Sequence, residues 1–300
     1  MLAPVEFRSS NSRGLNFDSP PMRLWQKAKK LGVWNPQDID LAQDARDWQL
    51  LTEIEQDLIL RLTAVFWTGE EAVTVDLLPF IQVVADEGRL EEEIFLTSFL
   101  WEEAKHVEAF ARFFRDVAPQ AGDLTRFHNP TYKRFFYEEL PAALRRLRTD
   151  ASAEAQACAS ATYHLFTEGV LAETGYHAYY QTLRARGIMP GMQQVIDNMK
   201  RDESRHLAYG VFFLSRLVVE HGDVVWNVIE ERMNELIPMG MASIEESLAP
   251  YDVIPFGLRT EDFLAFAFSQ FQHRIERIQK ARSQTLDEVY KIPDFEIASG

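Results

Sequence analysis

Along most of the chain apolar residues recur every three to four positions, the period of a helix with one buried face, and no alternating run is long enough for a strand. Read with its capping and stop signals, the pattern predicts helices over about 52–86, 91–117, 130–148, 153–186, 191–221, 224–248 and 261–281. Thr52 followed by Glu55 makes a capping box for the first of these, and Pro79 should kink it. Asn129 and Pro130 supply an N-cap and a first helical position for the third. Residues 1–50 read as irregular: Ser19-Pro20-Pro21 leads into a short helix, Trp34-Asn35-Pro36 breaks it, and the segment drapes over the rest. Residues 286–300 read as a mobile tail. The whole is expected to be one all-α domain spanning 1–300.

Four glutamates and two histidines stand out from this background. Glu70 and Glu168 are embedded in apolar stretches, Ala64 to Val73 and Tyr163 to Leu171, with no lysine or arginine within a helical turn. Glu103 with His106, and Glu203 with His206, are Glu-x-x-His pairs, which a helix places on one face. One such pair would arise by chance among seven histidines in a Glu-rich chain. The order carries more weight, because each half has the lone glutamate first and the pair second at nearly the same interval, as in a helix, a turn and an antiparallel return made twice. A buried carboxylate must neutralise, pair with a cation or bind metal. Together these six side chains are the ligand set of ferritin-like bundles that hold two metal ions. Four carboxylates balance two divalent cations, and oxygen-rich ligation behind a wall of Phe, Trp and Val suits oxygen activation better than hydrolysis.

Composition narrows the remaining choices. A net charge of −15 over 300 residues argues against nucleic acid as a partner. A lone cysteine, Cys158, rules out an internal disulfide framework and fits a reducing cytoplasm. No apolar run of about 18 residues is present for a membrane span. Glycine-rich phosphate loops and nucleophile elbows are missing, so hydride-transfer, kinase and serine-hydrolase readings have no support.

The segments Gly69 to Pro79, Trp101 to His106, Tyr163 to Gly169 and Arg201 to His206 resemble the ligand-binding oxidases related to the small subunit of ribonucleotide reductase. The resemblance spans the bundle. It implies manganese held by Glu70, Glu103 and His106, iron held by Glu168, Glu203 and His206, and dioxygen as oxidant. Affinity order alone would favour iron at both positions, so a di-iron centre stays open. Two-electron oxidation of an unactivated C–H bond, a homodimer, and a long-chain fatty acid or similar apolar ligand with its carboxylate at the metals are also implied. The electron donor is not identified by the sequence.

The same resemblance implies a self-made ether cross-link between Val73 and Tyr163. Val73, three residues from Glu70, shares its face. Tyr163 would lie about 140° from Glu168 on an ideal helix, which puts His164 nearer; a π-bulge would reconcile the two. His164 reads as a core histidine, and His128, His177, His221 and His273 have no ligand spacing. Tyr176, eight residues beyond Glu168, is a candidate to hydrogen-bond an oxygen ligand. Asp202, next to Glu203, could accept the free N–H of a ligating imidazole.

Two other readings compete. A ribonucleotide reductase small subunit would use the same scaffold to store a radical for a large partner. In its common form a tyrosine follows the first ligating histidine by four residues, and here that position is Phe110. A non-catalytic metal or lipid carrier is the second rival, since 46% hydrophobic residues with 21 Phe would permit a tunnel without turnover.

Overall fold

The computed structural model describes residues 14–291, and among these every regular element is helical. The expected first helix is two: α3 (Glu53–Asp76) and α4 (Leu78–Asp86), following α1 (Pro20–Leu31) and α2 (Ala42–Leu50). Thr52 and Glu55 form the reciprocal capping box at the start of α3. The chain breaks at Leu77 because Pro79 has no N–H to give and its ring would strike the carbonyl four residues back. After α5 (Leu90–Asp116) come α6 (Pro130–Arg134) and α7 (Leu140–Arg146), joined by a π-helical turn at Phe135–Glu139.

The expected helix over 153–186 is α8 (Ala153–Ser160), a long π-helical segment (Ala161–Ala172), α9 (Glu173–Tyr179) and a second π turn (Tyr180–Arg184). Then follow α10 (Pro190–His221), α11 (Asp223–Leu248), α12 (Thr260–Ala281) and α13 (Leu286–Lys291). No described helix is long and apolar enough to cross a membrane.

The ends of the chain differ from expectation. Residues 42–50, read as irregular, are α2, and it has a defined task. Its Asp44 accepts the backbone N–H groups of Gly191 at 2.9 Å and Met192 at 2.6 Å, and Asp47 accepts that of Met189 at 2.7 Å. These carboxylates serve the otherwise unpaired N-terminal amides of α10, although Met189 itself has the left-handed φ of 55°. Residues 286–291, expected to belong to a mobile tail, are instead helix α13, which buries Val289 and sets Tyr290 edge-on to Phe212. The rest of that expectation, including Phe295, lies outside the described residues.

α3 packs antiparallel to α5, and the π segment packs on α10. Three of these four runs cross from one apolar core to another, while the buried apolar residues of the π segment all belong to the core that contains Val73. On α3 the crossing runs from Phe66 to Val73, on α5 from Phe110 to Phe99, and on α10 from Met199 to Tyr209. On those three runs Glu70, Glu103, His106, Glu203 and His206 occupy the level between the two cores. Both cores exclude water from that level, so any charge placed there must be matched by another.

Candidate metal centre

Glu70, Glu103, His106 and Glu203 bring one ligand atom each to within 4.8 Å of one another, and so do Glu103, Glu168, Glu203 and His206. All six side chains are buried. The sequence divided them three and three. The structure places Glu103 and Glu203 in both groups, as expected of carboxylates that bridge two ions.

The two imidazoles are oriented alike. His106 turns Nδ1 inward, 3.2 Å from Glu70 Oε2 and 3.3 Å from Glu203 Oε1, and Nε2 outward, 3.3 Å from Asp202 Oδ2. Nδ1 of His206 faces Glu103 Oε1 at 3.0 Å and Glu168 Oε1 at 3.8 Å, while Nε2 meets Glu102 Oε2 at 2.8 Å. The outer acids thus serve crosswise: Asp202 of α10 holds the imidazole of α5, and Glu102 of α5 holds that of α10. Fixing Nε2–H in this way presents the Nδ1 lone pair to a cation. Phe99 stacks on the His206 ring at 3.6 Å and locks its plane.

Asp202 is where the sequence suggested a supporting acid. Glu102 was missed, yet the signal was there, since an acid precedes the Glu-x-x-His pair in both halves and a base precedes each histidine, Lys105 and Arg205. Those bases close the frame. Lys105 Nζ donates to Asp202 at 3.1 Å and lies 4.5 Å and 4.4 Å over the rings of Trp34 and Trp101. Arg205 donates to Glu102 at 2.6 Å and also to Asp202, and Trp34 Nε1 donates to Asp202 at 2.7 Å. Gly32 borders this frame, where a Cβ would run into Glu102 and stand 2.9 Å from Arg205 Nη2.

The inner groups satisfy one another only in part. Neither oxygen of Glu168 has a hydrogen-bond partner, and Nδ1 of His206, though close to Glu103, has no aligned one. Burial, with the neighbouring carboxylates, holds Glu70 and Glu168 well above the usual carboxylate range. For His106 and His206 burial pulls downward, but the facing carboxylates outweigh it and raise both well above an ordinary imidazole. Burial likewise pushes Glu203 up, and the two histidines outweigh it, lowering its carboxyl to about 2. Four acids, inward lone pairs and unpartnered oxygens fit a pair of cations and little else.

A pH dependence follows. Glu70, Glu168 and both histidines hold their protons more tightly than the free side chains do, and ligation must displace those protons. Metal loading should therefore release protons, and affinity should rise with pH and fall on acidification. Calorimetric titration in two buffers of different ionisation enthalpy checks this; buffer-independent heats would contradict it.

Val73 and Tyr163 both line the cavity at this cluster, and the Tyr163 hydroxyl donates to Glu103 Oε1 at 3.2 Å. The π segment contains both Tyr163 and Glu168, and its wider turn brings to the acids a residue that ideal helix spacing turns away. His164 is a core histidine. Its Nδ1 meets Ser160 Oγ at 2.9 Å, Nε2 has no partner, and burial lowers it to about 3. Tyr176 is buried against Phe66 with an unpartnered hydroxyl. Burial and the charges of Glu203, Glu70 and Glu103 keep that phenol protonated. Phe110 also packs on Phe66.

A cavity of about 1200 Å³, including its open mouth, leads outward from Glu70, Glu103, Glu168 and Glu203. Its wall is mostly apolar, with Val65, Phe66, Phe136, Leu171 and Ile244 among its residues, and the half-buried Arg61, Ser247, Leu248 and Leu258 also line it.

These features place the molecule among the dinuclear carboxylate bundles. Residues 17–277 match the family described as ribonucleotide reductase, small chain. Among solved structures, the R2-like ligand-binding oxidase from Sulfolobus acidocaldarius is 37% identical, with a TM-score of 0.87 over 95% of this chain and 98% of that one. A valine-to-leucine variant of an R2-like ligand-binding oxidase with an anaerobically reconstituted Mn/Fe cofactor is 38% identical, with a TM-score of 0.83 over 88% and 94%. A tyrosine-to-phenylalanine variant with the cofactor reconstituted aerobically is 36% identical, with a TM-score of 0.86 over 91% and 97%. The chain belongs to the ribonucleotide reductase small-chain family and, within it, to the R2-like ligand-binding oxidases.

Proposed function

We propose that this protein is an oxidase that uses dioxygen at a manganese and iron centre to oxidise an unactivated C–H bond of a fatty acid-like ligand. The observation that carries this reading is the doubled ligand set opening directly into an apolar cavity. Glu70, Glu103 and His106 would hold manganese and Glu168, Glu203 and His206 iron, with Glu103 and Glu203 shared. The Mn/Fe cofactor of the similar oxidases supports the choice of metals. When bound, the metals supply a two-electron oxidant after reaction with dioxygen. Phe66, Phe136 and Leu171 exclude water that would quench it. Tyr176 has a free hydroxyl for a ligand oxygen, and Asp202 and Glu102 keep both imidazoles in the ligating tautomer.

The first product would be internal. Val73 loses its Cβ–H and Tyr163 its O–H, a C–O bond forms, and two protons and two electrons pass to dioxygen. Burial and the adjacent acids hold the Tyr163 phenol well above its usual range, so it stays protonated until then, and Glu103 is placed to accept its proton. Phe110 lacks the hydroxyl that a radical-storing tyrosine needs, which favours oxidation over radical storage for a large partner. Peptide mass analysis after assembly in air tests the reading. A homodimer and an external electron donor complete it.

A further inference from the structure

A basic residue of which an ordinary fatty acid makes no use is among those that line the cavity. Arg61 is the only basic residue among the lining residues, and its side chain is 14% exposed. It lies nine residues before Glu70 on α3, a rise of about 13 Å along the helix axis at 1.5 Å per residue. An alkyl chain with a carbon–carbon bond of about 1.5 Å spans that distance with about ten methylenes.

Arg61 is only loosely countered. The Asp57 carboxylate is 3.5 Å from Nη2, is 41% exposed, and already accepts the Tyr251 hydroxyl at 2.6 Å. Nε donates to that same hydroxyl at 3.2 Å, and the guanidinium rests on Phe127 and Tyr251. A cation fixed in this way beside the cavity suits a planar anion. The hydrocarbon end of a monoacid would gain nothing from it.

We propose that the natural ligand is a linear apolar chain with an anionic group at each end, one at the carboxylate and histidine cluster and the other at Arg61. This rests on the reading that an acidic apolar ligand occupies the cavity, and it adds the ligand's second pole and approximate length. The probes are dodecanedioic acid and dodecanoic acid, titrated anaerobically into metal-loaded protein by calorimetry. A change in metal-centre absorption on adding dodecanoic acid reports the underlying reading; the difference between the two acids reports the second pole alone.

The diacid is expected to bind about tenfold more tightly than the monoacid, the strength of a charge-assisted hydrogen bond. Arg61→Leu should erase that preference without weakening dodecanoic acid, and Arg61→Lys should keep part of it. Asp57→Asn removes the competing carboxylate and should raise diacid affinity alone, which a merely structural Arg61 would not do. Equal affinities for the two acids, a preference surviving Arg61→Leu, or an unchanged ratio in Asp57→Asn would overturn the proposal. If Arg61→Leu does not fold, Asp57→Asn decides by itself.

Discussion

Glu103→Ala is expected to leave the chain unable to hold either metal, and Glu203→Ala to do the same, whereas Glu70→Ala should empty only the position it shares with His106. The reason is geometric. Glu103 and Glu203 reach both clusters, while Glu70 and Glu168 each reach one. Losing a shared carboxylate would remove a candidate ligand, and a compensating negative charge, from both positions at once. Elemental analysis after reconstitution with manganese and iron measures the effect. One full equivalent of metal retained by Glu103→Ala would show that the acids act as separate sets of three. Glu102→Gln gives the scale for comparison: it keeps both ligand sets but weakens the hold on His206, which should lower affinity about 10- to 100-fold.

Gly210→Ala should be among the most destabilising single-methyl changes in the molecule. Gly210 lies on α10 where the π segment crosses it, and an added Cβ would overlap Cβ and Cγ of His164. The first atom of a side chain cannot swing aside, so relief requires the π segment to move off α10, carrying Glu168 away from Glu203. Overpacking of this kind costs about 3 kcal/mol. At roughly 2–4 °C per kcal/mol for a chain of this size, the metal-free protein should melt about 6–12 °C lower. A melting temperature within a degree of the parent would mean that the packing here is looser than the geometry indicates.

Most of the helices, and all six residues of the inner cluster, are legible in the sequence because they follow from periodicity and from spacing along one helix face. Thr52 with Glu55 marked a helix start, and Pro79 marked a break that became a separation of two helices. What spacing could not give is what depends on contacts between distant segments. Glu102 serves a histidine on another helix, 104 residues away, and Asp44 caps a helix that begins beyond residue 189. α2 was hidden for the same reason: its nine residues are held by contacts with α10. Tyr163 is a different case, since the period used to read helices fails in a π segment. Only the resemblance to known oxidases pointed to it over His164.

The proposed oxidation of C–H bonds at this cluster would be recorded directly by the Val73–Tyr163 pair. Protein assembled with manganese and iron, once in air and once without oxygen, should be digested and its peptides weighed. The account predicts that only the aerobic sample contains the two peptides joined, two hydrogens lighter than their sum. Both metals bound in air with the Val73 and Tyr163 peptides separate and unmodified would contradict it.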